Sequence, residues 1–180
     1  MAEEKKNPLG PTGEQVRANI ARIRESRGMT KKQLADRTAE LGRPIPPLGV
    51  SRVEAGTRRV DVDDLVALAI ALRVSPTALL LPWTERPDDV VEVTASGAVQ
   101  ASIAWLWADG HVPMVTSGSD PWGDRDRFEL DSRPAWARDV QSLAVKHRQV
   151  GEGRWDPQSG LHEWYVKLPE SGGGEEPEHG

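Results

Sequence analysis

The chain contains no cysteine, and only one tyrosine and one phenylalanine among its 180 residues. Without cysteine there is no disulfide, no thiolate nucleophile and no cysteine-ligated metal. No apolar run approaches the roughly 18 residues that a membrane-spanning helix requires. The opening Met1-Ala2-Glu3-Glu4-Lys5-Lys6-Asn7-Pro8 carries charges with no apolar stretch behind them, unlike a secretory signal. The expectation is a soluble, cytoplasmic protein with no membrane partner.

Catalytic frames are missing as well. His111, His147, His162 and His179 are scattered, and none has a second ligand three or four residues on. There is no Gly-x-Ser-x-Gly elbow, no phosphate-binding Gly-Lys-Ser/Thr loop and no framed pair of carboxylates. We therefore expect neither enzymatic activity, nor a cofactor, nor a metal.

What is present is unevenly distributed. The net charge is −5, yet residues 1–82 hold 14 Lys/Arg against 10 Asp/Glu, and residues 83–180 hold 9 against 18. All seven tryptophans lie in the acidic part, from Trp83 to Trp164. Two regions of different chemistry share one chain, and a whole-chain average describes neither. No internal repeat is visible.

Periodicity predicts five closely spaced helices in the basic part. Thr12 and Gln15 are placed as a capping box for the first, with Val16, Ile20 and Ile23 as its apolar stripe and Gly28 as its stop. Thr30 and Gln33 repeat the box for the second, which should bury Leu34, Ala35, Thr38 and Leu41 and end at Gly42. A short third helix covers Pro47 to Ala55, with Val50 and Val53 inward and Gly56 beyond it. Asp61 caps the fourth, with Asp63 and Asp64 near its positive end and Leu65, Leu68, Ala69 and Leu72 as the stripe. Ser75-Pro76 opens a fifth that buries Leu79 and Leu80.

The acidic part is harder to read. Val90 to Thr94 suggests a short strand, residues 96–109 an amphipathic helix, and Gly110 to Ser132 a long loop. A further helix begins at Pro134, with Trp136, Val140, Leu143, His147 and Val150 at helical spacing. Trp164, Val166 and Leu168 alternate as in a strand. Trp105 and Trp107 read as core of this region, with an interface role as the alternative.

The second and third helices carry the functional signal. A helix-turn-helix needs one helix across the phosphates, a second in the major groove and a core that sets the angle between them. The run Met29-Thr30-Lys31-Lys32-Gln33-Leu34-Ala35, then Val50-Ser51-Arg52-Val53-Glu54-Ala55-Gly56, then Leu65-Val66-Ala67-Leu68-Ala69-Ile70-Ala71-Leu72-Arg73-Val74-Ser75, resembles the phage-repressor (Cro/C1, XRE) helix-turn-helix family. The likeness covers about residues 13–82 and extends no further.

The resemblance implies a mainly α fold. A five-helix, lambda-repressor-like DNA-binding domain would be followed by a smaller mixed α/β or partly irregular C-terminal region. We divide the chain into an arm at 1–11, the DNA-binding domain at 12–82 and a linker at 83–95. A Trp-rich acidic region for dimerisation or signal input follows at 96–168, then a tail at 169–180. The resemblance also implies an Arg24–Glu54 pair that supports the reading helix. Its base-reading positions fall on Pro47, Leu48, Ser51 and Arg52. Thr30, Lys31, Lys32, Thr57, Arg58 and Arg59 fall where the backbone phosphate would run, and Arg43, in the turn before the third helix, would add a phosphate or minor-groove contact.

Two departures from the family stand out: Pro46-Pro47-Leu48-Gly49 offers few hydrogen-bonding side chains, and the turn before the third helix is long. The expected partners are double-stranded DNA and a second copy of the chain, with a protein or small molecule for the C-terminal region. The expected activity is sequence-specific transcriptional regulation, as a repressor. The rival is an antitoxin-like interaction protein whose acidic half binds a partner protein. A bundle whose basic residues only keep it dissolved would not need Arg24, Glu54 and this turn together.

Overall fold

The computed structural model describes residues 8–138, together with the backbone of residues 154–156 and 161–163. The chain forms two compact units, one running to Ser132 and one starting at Arg133. The first is mainly helical. It opens with α1 (Pro11–Ser26), α2 (Lys31–Glu40), α3 (Pro47–Glu54), α4 (Val62–Ala71) and α5 (Pro76–Leu80).

Proline starts three of these helices, where its missing N–H has no intrahelical partner to lose. Thr30 and Gln33 form the full capping box on α2, while Asp61 and Ser75 cap α4 and α5. The start of α1 differs from the sequence reading. Gly10 is its cap residue, with no side-chain bond, and Thr12 lies inside the helix. Pro11 already has the backbone angle of a first helical turn, so the helix begins before Thr12. Gly28, Gly42 and Gly56 take positive φ where the chain leaves the first three helices.

The five helices enclose a core of Val16, Ile20, Ile23, Leu34, Ile45, Val50, Val53, Leu68, Leu72 and Leu79, with smaller residues between them. Two buried polar side chains set its edges. The Asn19 amide donates to the carbonyls of Leu79 and Leu81, at 3.1 and 2.8 Å, where α5 has run out of backbone donors. The Thr38 hydroxyl donates to Ala35 and accepts from the Ile45 N–H, pinning the turn before α3. Leu41, expected inside, is 48% exposed. It is the residue after α2, where the chain is already turning away from the core.

Beyond α5, strands β1 (Val90–Val93) and β2 (Gly97–Gln100) pair antiparallel, and α6 (Ala101–Ala108) follows directly. The helix expected from residue 96 therefore begins at Ala101. Ala95 and Gly97 both take positive φ, which turns the chain back and places Val99 opposite Val91 in the ladder. A second small core joins Leu81, Val91, Val93, Ala101 and Ala104.

Trp105 is half-buried against that core and donates its indole N–H to the Pro82 carbonyl at 3.3 Å. Trp107, expected inside, is on the exposed side of α6. Of the loop expected over Gly110 to Ser132, residues 110–120 are irregular as expected, and helix α7 (Pro121–Ser132) replaces the rest. The Asp120 carboxylate accepts from the Gly123 N–H ahead of Pro121. Asp, Pro and Gly, read as loop residues, here open a helix.

The second unit contains α8 (Ala135–Arg138) and a hairpin of β3 (Arg154–Asp156) and β4 (Leu161–Glu163), with Trp155 opposite His162. The helical stripe from Val140 to Val150, the Trp164–Leu168 alternation and the 169–180 tail lie outside the described residues.

Candidate nucleic-acid interface

Helix α3 has two faces. Gly49, Val50 and Val53 are buried, while Pro47, Leu48 and Arg52 are exposed and Ser51 is half-buried. Pro47, Leu48, Ser51 and Arg52 fall at i, i+1, i+4 and i+5, so they share the outward stripe. Leu48 is 61% exposed. Among the described residues, the Arg52 guanidinium has no hydrogen-bond partner. This face presents one cation, one hydroxyl and two apolar groups.

The support beneath α3 is ionic. Arg24 Nε and Nη2 donate to the two Glu54 carboxylate oxygens at 2.6 and 3.0 Å. Arg24 Nη1 donates to the Met29 carbonyl at 2.8 Å. Both side chains are under 10% exposed. Planar guanidinium matches planar carboxylate, so the pair fixes the rotation of α3 against α1 as well as their separation. The bond from Glu54, opposed by burial, raises the pKa of Arg24.

Lys31 reaches the same carboxylate at 3.4 Å and the Ser51 hydroxyl at 3.4 Å. Lys32 pairs with Asp36 at 2.8 Å on the open surface of α2. The Thr30 hydroxyl is engaged in its capping box. The Thr57 hydroxyl donates to the Arg52 carbonyl at 3.2 Å, and Arg59 Nη2 donates to the Pro8 carbonyl at 2.7 Å.

Arg43 and Arg58 stand apart from this group. Arg43, in the turn before α3, bonds Asp64 at 2.9 Å and Asp61 at 3.1 Å, with Asp63 at 3.8 Å. The Asp64 hydrogen bond raises its pKa, against a smaller loss from burial. Arg58, in the loop after α3, donates to the second Asp64 oxygen. The Asp64 side chain is 2% exposed. Sequence reasoning placed Asp64 at the positive end of a helix and did not see it as a partner for two arginines. The available signal was Asp61 and Asp64 at the cap and third positions of α4, beside a loop with two arginines.

Gly49, by contrast, had no sequence signal. A Cβ there would stand 2.8 Å from Arg58 Nη1 and 3.2 Å from Ile45 Cγ2.

Residues 20–79, which contain α2, α3 and α4 whole, the second half of α1 and all of α5 but Leu80, match the family model described as Helix-turn-helix. This segment is a helix-turn-helix domain of the Cro/C1 (XRE) type. No curated protein and no solved structure matches the chain. In the helix-turn-helix domain α2 and α3 form the motif itself, and α1, α4 and α5 enclose its core. No helix among the described residues is long and apolar enough to cross a membrane.

Proposed function

We propose that this chain is a sequence-specific transcriptional regulator that lays α3 in the major groove of a short operator and represses by excluding polymerase. The observation that carries the reading is the outward stripe of α3. Its one guanidinium is exposed and unpaired among the described residues, on a helix otherwise anchored in the core. Arg52 would grip guanine O6 and N7 together, and Leu48 would meet a thymine methyl. Pro47 and Ser51 would complete the contact.

Thr30, Lys31 and Lys32, at the start of α2, would meet phosphate through N–H groups and ammonium ions. Thr57 and Arg59 would do so after α3. With so few polar groups on the reading face, DNA shape would supply part of the discrimination.

A two-fold dimer would set two such helices about one helical turn of DNA apart. Residues 96–168 would supply dimerisation or signal input, with residues 12–82 binding DNA and 83–95 joining the two. Selection of duplexes from a random-sequence pool by the full chain tests the reading, and should yield a short palindrome. Arg52→Ala should keep its melting temperature and lose about 1–3 kcal/mol of preference for that site over random duplex. Equal preference in the variant would remove Arg52 from the reading face, and no duplex binding at low salt would end the proposal.

A further inference from the structure

Asp64 joins two arginines that flank α3 in the chain, one before the helix and one after it. We infer that Asp64 is a positioning residue for DNA recognition: it clamps both ends of α3 to the first turn of α4 and withholds Arg43 and Arg58 from phosphate. The inference rests on the DNA-binding reading above.

Charge supports it first. Arg43 and Arg58 face Asp61, Asp63 and Asp64, so the cluster holds three acids against two bases and brings no net positive charge toward a backbone. Burial supports it next. Moving either guanidinium to a phosphate would strip a partner from a carboxylate that is 2% exposed, in a site where lost pairing is costly.

The path of Arg58 is the third support. Its Nη1 lies 2.8 Å from where a Cβ at Gly49 would stand, with Ile45 Cγ2 and Pro46 Cδ at 3.2 and 3.3 Å, so the guanidinium is packed over α3 at its one glycine. Glycine disfavours a helix interior by about 1 kcal/mol relative to alanine. A guanidinium packed there points to Asp64 and away from open solvent. Asp64 also donates its own N–H to the Asp61 cap at 2.7 Å, which holds the carboxylate's backbone in register with α4.

Salt dependence separates a clamp from a phosphate contact. Each phosphate neutralised contributes a slope of about 0.9 in the logarithm of affinity against the logarithm of salt. The measurement uses the full chain, a duplex selected by the unaltered protein and a random-sequence duplex, with the fold of each variant checked by circular dichroism. For Arg43→Ala and Arg58→Ala the clamp predicts an unchanged slope on random duplex. It also predicts about a tenfold loss in the ratio of selected to random affinity, of the order one good base contact supplies.

Asp64→Asn should steepen the slope by about 0.9, because Arg58 loses its carboxylate and reaches phosphate while Arg43 keeps Asp61 and Asp63. A slope reduced by about 0.9 in either arginine variant, with the ratio kept, overturns the inference and makes that arginine a phosphate ligand. If Asp64→Asn fails to fold, the two arginine variants decide alone. Failure of the unaltered chain to bind any duplex defeats the DNA reading and this inference together. Binding that survives with the arginine slopes lost defeats the inference only.

Discussion

Thr12 and Thr94, 82 positions apart, exchange two hydrogen bonds: the N–H of each donates to the other's hydroxyl, at 3.3 and 3.0 Å. The Thr12 N–H is one of the donors that a helix start leaves without an intrahelical partner. Since Gly10 has no side chain to cap α1, the turn of the β1–β2 hairpin does so from a distance. The hairpin is thereby tied to the helix that carries Arg24.

Removing this tie should be measurable. Thr94→Val keeps the side-chain shape and loses the hydroxyl that accepts the Thr12 N–H, while the Thr94 N–H keeps its bond to Thr12, so it should cost about 1 kcal/mol in urea unfolding. Amide exchange at Thr12 should accelerate in parallel. Unchanged stability together with unchanged exchange would leave the tie without energetic weight.

The Arg24–Glu54 pair should be worth more, because it is buried. Glu54→Ala leaves a guanidinium under 10% exposed with only Met29 and Glu25 as partners. Breaking a buried pair on one side costs about 3 kcal/mol. Thermal melting of the variant should show a clear drop, and a curve superimposable on the unaltered protein would count against a structural pair.

Asp61 predicts an acid-sensitive limb of stability. Its pKa is lowered, first by the Asp64 N–H it caps, then by Arg43 and Arg58, with burial acting in opposition. The folded protein thus binds this proton less tightly than the unfolded chain does. The resulting stability is complete above the unfolded value near 3.9 and is lost as pH falls through the folded value below it. Asp61→Asn should flatten the melting temperature between about pH 4 and pH 2 relative to the unaltered protein. Parallel curves would mean that Asp61 contributes nothing to the acid limb.

The helices of the DNA-binding part were legible because their causes are local. Val16, Ile20 and Ile23 repeat at helical spacing, Thr30 and Gln33 stand three apart, and Gly28 and Gly56 sit where a left-handed residue must end a helix. The outward stripe of α3 follows from the same period once Val50 and Val53 are taken as inward. The first strand of the hairpin was legible at Val90 to Thr94, but β2 and α7 were not, because Asp120-Pro121 and the turn at Ala95 use residue types shared by loops and by the ends of regular elements.

The sequence by itself therefore determined where α1 to α5 lie and which face of α3 is turned outward, since both depend on neighbours within about four residues. Which carboxylate each arginine meets was decided only by the tertiary structure. Arg43, Arg58 and Asp64 are joined because the segments before and after α3 both reach the first turn of α4. An arginine destined for a buried carboxylate and one destined for solvent have the same side chain, so only the crossing of the chain distinguishes them.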